Sequence, residues 1–212
     1  MKRLFIYLLP FLLLLGSNSL AQESYFYKDR EHTKQEVFED LSFVFGLSLI
    51  AYPLTQWDTV KNEGSLEVYR KNFGRIVFDR DEPFWNYMVH PYTGSQMFLY
   101  YRARSYSYSD SLALTFVSST VFEFFIEVYT EPASVQDLYQ TPVLGAVMGY
   151  GFEKLSMELL NNGGSVSKFF GHLINPMTLF SSIFEGRGIK ASAMFAPSFD
   201  KKSIGYFIHA SF

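Results

Sequence analysis

The chain has 212 residues, a formal charge of −3 and no cysteine. Disulfides, thiolate metal sites and thiol catalysis are therefore excluded, and the lack of any basic cluster argues against a nucleic-acid partner. The outlier is aromatic content: 23 Phe and 15 Tyr suit a protein that touches lipid, because amphipathic rings favour the membrane boundary.

Residues 1–21 have a charged start at Lys2 and Arg3, an apolar run from Leu4 to Leu15 and a small-residue end at Ser19-Leu20-Ala21. That pattern predicts a secretory signal peptide cut after Ala21, and hence a protein exported to the outer membrane or the periplasmic face of the envelope. Residues 22–35 are polar and predict a loose arm or the first turn of a helix. A helical domain is expected over 36–188, long enough to hold one core.

The first helix is predicted from Gln35 to Leu54, where Pro53 marks its end or a kink. Residues 55–83 are mixed, with turn signals at Asn62-Glu63-Gly64 and Asn72-Phe73-Gly74 and a short strand or extended linker at Ile76 to Phe78. Pro83 opens a second helix that runs to Arg104, with a kink expected beside His90 because Pro91 follows it. A third should span Ser109 to Tyr129, stopped by Glu131-Pro132. The fourth starts with Ser134 as N-cap and Asp137 three residues on, and it ends at Asn161-Asn162-Gly163-Gly164. A fifth covers Ser165 to Phe184, bent or divided at Pro176. Residues 189–212 switch to alternation and predict two strands around Asp200-Lys201-Lys202. The expected fold class is thus mainly α: a bundle of about five apolar helices with a short C-terminal β-hairpin. The uncharged stretches fall at or below the ~18–20 residues of a membrane span, so partial insertion, or helices packed against a membrane or barrel, fits better than a conventional spanning bundle.

Three stretches place polar or very small residues four apart: Asn86, His90, Gly94; Ser119, Glu123, Glu127; Asp137, Thr141, Gly145, Gly149. Residues at i and i+4 share a helix face, so these stripes are expected to turn toward one another and form a buried polar centre. His90 can act as base, acid or ligand near neutral pH. Glu123 and Glu127, one turn apart among phenylalanines, should repel, so that one has a raised pKa or a cationic partner; Arg102 and Arg104 are the obvious cations. Asp137 at a helix start is first a capping residue, while Gly145 and Gly149 let another helix come close. The expected binding residues are Asn86, His90, Tyr101, Arg104, Ser119, Glu123, Glu127, Asp137 and Thr141. His90, Glu123 and Glu127 are catalytic candidates, but none is assigned a catalytic role. A metal site built from His90, Glu123, Glu127 and Asp137 has acceptable ligand types, but one histidine with carboxylates does not identify such a site without a known fold, so no metal and no cofactor is assigned. The serine-hydrolase elbow and the phosphate and dinucleotide loops are absent.

The run Trp85-Asn86, His90-Pro91, Gly94, Tyr101, Arg104, Ser111, Ser119, Glu123, Glu127, Glu131-Pro132-x-Ser134-x-x-Asp137-Leu138-x-x-Thr141-Pro142, Gly145 and Gly149 resembles that of the domain-of-unknown-function 3943 family. The resemblance covers residues 84 to about 155 and implies a secreted, outer-membrane-associated protein of unestablished activity, typical of a Gram-negative envelope. A more distant similarity is to VanZ-like membrane proteins, from which the chain departs at Asn86, Tyr87 and Thr141 and in the placing of its glycines. The leading expectation is a non-enzymatic, membrane-associated protein whose polar centre organises the helices and binds a lipid head group or small polar ligand. The alternatives are an enzyme acting on envelope lipid or glycan through His90 and a Glu, and a subunit of an outer-membrane assembly with another protein as partner.

Overall fold

The structure is a computed structural model that describes residues 25–78 and 82–179, together with the backbone of 196–200 and 203–207. The expected signal peptide at residues 1–21 and most of the link between the last helix and the C-terminal strands lie outside the described residues. The described chain is mainly helical. In order it runs α1 (Lys34–Thr55), α2 (Trp57–Glu63), α3 (Leu66–Asn72), β1 (Ile76–Val77), a π turn (Trp85–Val89), α4 (His90–Ala103), α5 (Tyr108–Phe125), a 3-10 turn (Glu127–Tyr129), β2 (Ala133–Ser134), α6 (Val135–Tyr139), a second π turn (Gln140–Leu144), α7 (Gly145–Asn162), α8 (Ser165–Ile174), β3 (Ala196–Asp200) and β4 (Ser203–Phe207).

Helix α1 starts at a capping box. The Thr33 side chain accepts from the Glu36 amide at 3.2 Å, and Glu36 Oε2 accepts from the Thr33 amide at 2.8 Å. The Thr33 backbone bond, and after it Arg30, lowers the Glu36 carboxyl from 4.5 to about 2. A carboxyl lowered in the folded state contributes stability that is complete above pH 4.5 and is lost as pH falls toward 2. The melting-temperature gap between the native chain and Glu36→Gln is therefore expected to narrow over that window; a gap that stays constant with pH would refute the assignment.

Pro53 does not end α1, which continues to Thr55. Helices α2 and α3 occupy a region whose sequence shows only turn signals. Each has seven residues, too few to display a 3.6-residue period. The Ile76–Val77 strand has a partner the sequence does not announce: it pairs in parallel with β2, Ile76 opposite Ala133 and Val77 opposite Ser134. Strands β3 and β4 pair antiparallel, Ala196 opposite Phe207.

Residues 25–33 are not a loose arm. They are tied down along their length: Tyr25 exchanges hydrogen bonds with the Asn161 side chain at 2.6 and 3.0 Å, the Arg30 amide donates to Ser105 O, and His32 stacks on Tyr106 at 3.6 Å between ring centres. The turn between α4 and α5 holds Ser105 at φ 74°, a left-handed conformation that non-glycine residues rarely adopt.

The pair α4 and α7 forms the centre of the bundle, and small residues set its spacing. A Cβ on Gly94 would sit 1.7 Å from Thr141 O, one on Gly145 would sit 2.6 Å from Gly94 Cα, and one on Gly149 would meet Phe98 at 2.8 Å. Backbone thus rests on backbone. Val44, Met97, Tyr101 and Tyr106 make a small apolar cluster beside this contact. Elsewhere the usual polarity is reversed, because buried polar side chains outnumber buried apolar ones among the described residues while Phe38, Leu54, Leu66, Phe78 and Val166 are each at least two-thirds exposed.

Candidate functional site

Two π turns flank the predicted stripes. In each, an amide reaches back five residues: His90 N–H to Trp85 O, and Gly145 N–H to Gln140 O. Such turns recur at functional sites. Here each ends at or contains a polar residue followed by proline, His90-Pro91 and Thr141-Pro142. The first places His90 at the start of α4; the second continues the chain from Asp137 into the close contact between Thr141 and Gly94.

Glu123 on α5, Glu127 on the 3-10 turn and Asp137 on α6 converge, with one carboxylate oxygen of each within 4.8 Å of the other two. His90 Nε2 stands 3.4 Å from Asp137 Oδ1. Ser134 braces two of these acids. Its amide donates to Glu123 Oε2 at 3.2 Å and its side chain accepts from the Asp137 amide at the same distance, the N-cap bond expected from the sequence. The group is enclosed: Glu123, Glu127 and Asp137 are 1%, 8% and 4% exposed. Burial, then the charge of Glu123 and a hydrogen bond with it, holds the Glu127 carboxyl well above the usual carboxylate range, and Glu131 and Asp137 push the same way.

Ser119 lies one turn before Glu123 and Thr141 one turn after Asp137. Both are buried, and among the described residues Ser119 Oγ, Thr141 Oγ1, Gln140 Oε1 and Glu127 Oε2 have no hydrogen-bond partner. Asn86, on the first π turn, is also buried.

Tyr101 and Arg104 do not join this group. They belong to the far end of α4, about 16–21 Å along the helix axis from His90 at 1.5 Å per residue. Tyr101 bonds to Ser118 at 2.6 Å, and Arg104 pairs with Asp40 at 2.9 Å. Arg102, the other expected cation, is buried at that same end. Its Nε and Nη2 grip both oxygens of Glu153 at 2.9 and 3.2 Å, and Nη1 donates to Asp29 at 2.7 Å and to Tyr106 O. The Tyr108 ring lies 3.8 Å from the guanidinium, and its hydroxyl donates to Glu153. The expected single centre is therefore two: an acid and imidazole group at the head of α4, and an arginine clamp at its tail.

Sequence reasoning missed Glu153, Asp40, the double role of Ser134, and Gln140. Glu153 was within reach, since it extends the Gly145 and Gly149 stripe by one more turn. An open groove of about 710 Å³, bordered by Asp29, His32, Tyr106 and Asp110, contains none of the acid group.

No curated protein and no solved structure matches the chain. The likeness to VanZ-like proteins is not borne out. Residues 75–177 match the family model described as Domain of unknown function (DUF3943), and this part of the chain contains both π turns, the acid group and the Arg102–Glu153 pair.

Proposed function

We propose that this is an exported, membrane-associated envelope protein whose enclosed acid and imidazole centre fixes helix register and accepts a small polar ligand. In this reading α1, α4, α5, α7 and α8 are the five helices of a bundle, with β3 and β4 as an appended hairpin. The reversed polarity is the observation that carries it. Helix α1 is apolar and long enough to cross a membrane by length and composition, yet only 11% of its apolar window is buried. Phe43, Leu47, Ile50 and Leu54 are all exposed on it, and Trp57 stands exposed just past its end. An apolar surface of that extent is stable against lipid and costly in water, and a tryptophan at its border suits the interface. Export rests on the pattern of residues 1–21.

The enclosure of the acid group favours a small ligand over catalysis on an acyl chain or a sugar, which needs open room beside His90. Flotation tests the membrane reading. The full chain is expected to rise with vesicles of phosphatidylethanolamine and phosphatidylglycerol, and the triple variant Leu47→Lys, Ile50→Lys, Leu54→Lys to bind at least tenfold less with unchanged helical content. A native chain that stays monodisperse without detergent and ignores vesicles would overturn it.

A further inference from the structure

We propose that Glu123, Glu127 and Asp137, with His90 at their edge, form a binding site for one divalent first-row metal cation. The inference rests on reading this centre as a ligand site and names its ligand. One oxygen from each of three carboxylates lies within 4.8 Å of the others, a spread that a contraction of about half an ångström brings into a single coordination sphere, in which bonds of about 2.1 Å place opposite ligands about 4.2 Å apart. Neighbouring ligands of such an ion stand about 3.0–3.4 Å apart for octahedral or tetrahedral angles, and His90 Nε2 is 3.4 Å from Asp137 Oδ1.

An independent observation points the same way. Ser119 Oγ and Thr141 Oγ1 are buried with no hydrogen-bond partner among the described residues, and the two residues are only 1% and 5% exposed. Ser119 shares a face of α5 with Glu123, one turn on, and Thr141 follows Asp137 by four residues, so the spacing sets both hydroxyls on the side of the acid group. Buried hydroxyls are almost always satisfied in folded proteins. An ion carrying one or two waters supplies the missing partners: the carboxylates and imidazole bind the metal, and the hydroxyls accept from or donate to its waters. The donor set of hard oxygens and one imidazole, in a chain without thiolates, suits Mn²⁺, Fe²⁺ or Zn²⁺.

The test uses the full chain in detergent, stripped with EDTA and titrated with Mn²⁺ while free Mn²⁺ is read by electron paramagnetic resonance. One equivalent should bind per chain, be displaced by Zn²⁺, and raise the melting temperature of the native protein reversibly. Glu127→Gln and Asp137→Asn, whose folding is checked in EDTA by circular dichroism, should each weaken Mn²⁺ at least tenfold, and Glu31→Gln, at an exposed acid, should not. The absence of stoichiometric Mn²⁺ or Zn²⁺ binding to the native chain, or binding undiminished in a folded Glu127→Gln variant, overturns the proposal. Flotation reads out separately: lost metal binding with intact flotation removes only the metal, and the converse removes only the lipid.

Discussion

Arg102→Met is expected to destabilise the protein by about 3–5 kcal/mol, the usual consequence of stranding a buried charge. The arginine is 2% exposed and holds Glu153, itself 4% exposed, through two hydrogen bonds. Without it the Glu153 carboxylate keeps the Tyr108 hydroxyl as a donor at 2.7 Å and must either stay ionised without a cation or take up a proton. The third partner behaves differently. The Asp29 side chain is 52% exposed, so Asp29→Asn should cost no more than about 1 kcal/mol because water screens that pair. Adding Glu153→Leu to Arg102→Met should recover much of the loss, since removing both members of a buried pair is far less costly than removing one. Thermal or denaturant unfolding of the native chain and the three variants in one detergent measures all of this. If Arg102→Met lost less than 1 kcal/mol, the clamp would not be what holds α4 to α7 at that end.

The second large effect is expected at the other end of the same helix pair. Gly94→Ala should cost at least about 3 kcal/mol or prevent folding, because overpacking at a rigid contact cannot be relieved by side-chain motion. The new methyl would stand 1.7 Å from the backbone oxygen of Thr141, so either α4 or the second π turn must shift by more than an ångström. That shift would also carry Thr141 and Asp137 away from His90. Gly151→Ala on α7 is the control: nothing lies within 4 Å of its Cβ position, and replacing an exposed helical glycine should stabilise by about 0.5–1 kcal/mol. Melting temperatures of opposite sign for the two variants are the expected outcome. A Gly94→Ala protein as stable as the native one would mean that the helices are farther apart than described.

Much of the acid group was legible because it depends on local periodicity. The four-residue spacing of Ser119, Glu123 and Glu127 defines one face whatever the fold, and the Ser134 to Asp137 cap follows from residue types alone. The partners of the acids were not legible in the same way. On charge alone Arg102 and Arg104 are the natural cations, but fourteen residues of helix carry Arg104 about 21 Å from His90, a separation that the residue count itself contains. The π turns were hidden for a different reason. A reach of five residues leaves no distinctive periodicity over a single turn, and proline after a polar residue marks kinks and π turns alike. Helices α2 and α3 were too short to show a period. The pairing of Ile76 with Ala133 joins segments with no local relation, so no window of sequence could contain it.

That two-residue ladder dictates an order of assembly. Ser134, which braces both Glu123 and Asp137, is itself held by Val77, and the intervening chain includes the whole of α4 and α5. Closing so long a loop carries an entropic cost that two rungs of ladder cannot offset unless the intervening helices have already docked. The acidic chamber is therefore a late product of folding, completed after the rods around it stand in place, and partial unfolding that frees this short ladder dismantles the chamber while leaving the arginine clamp intact.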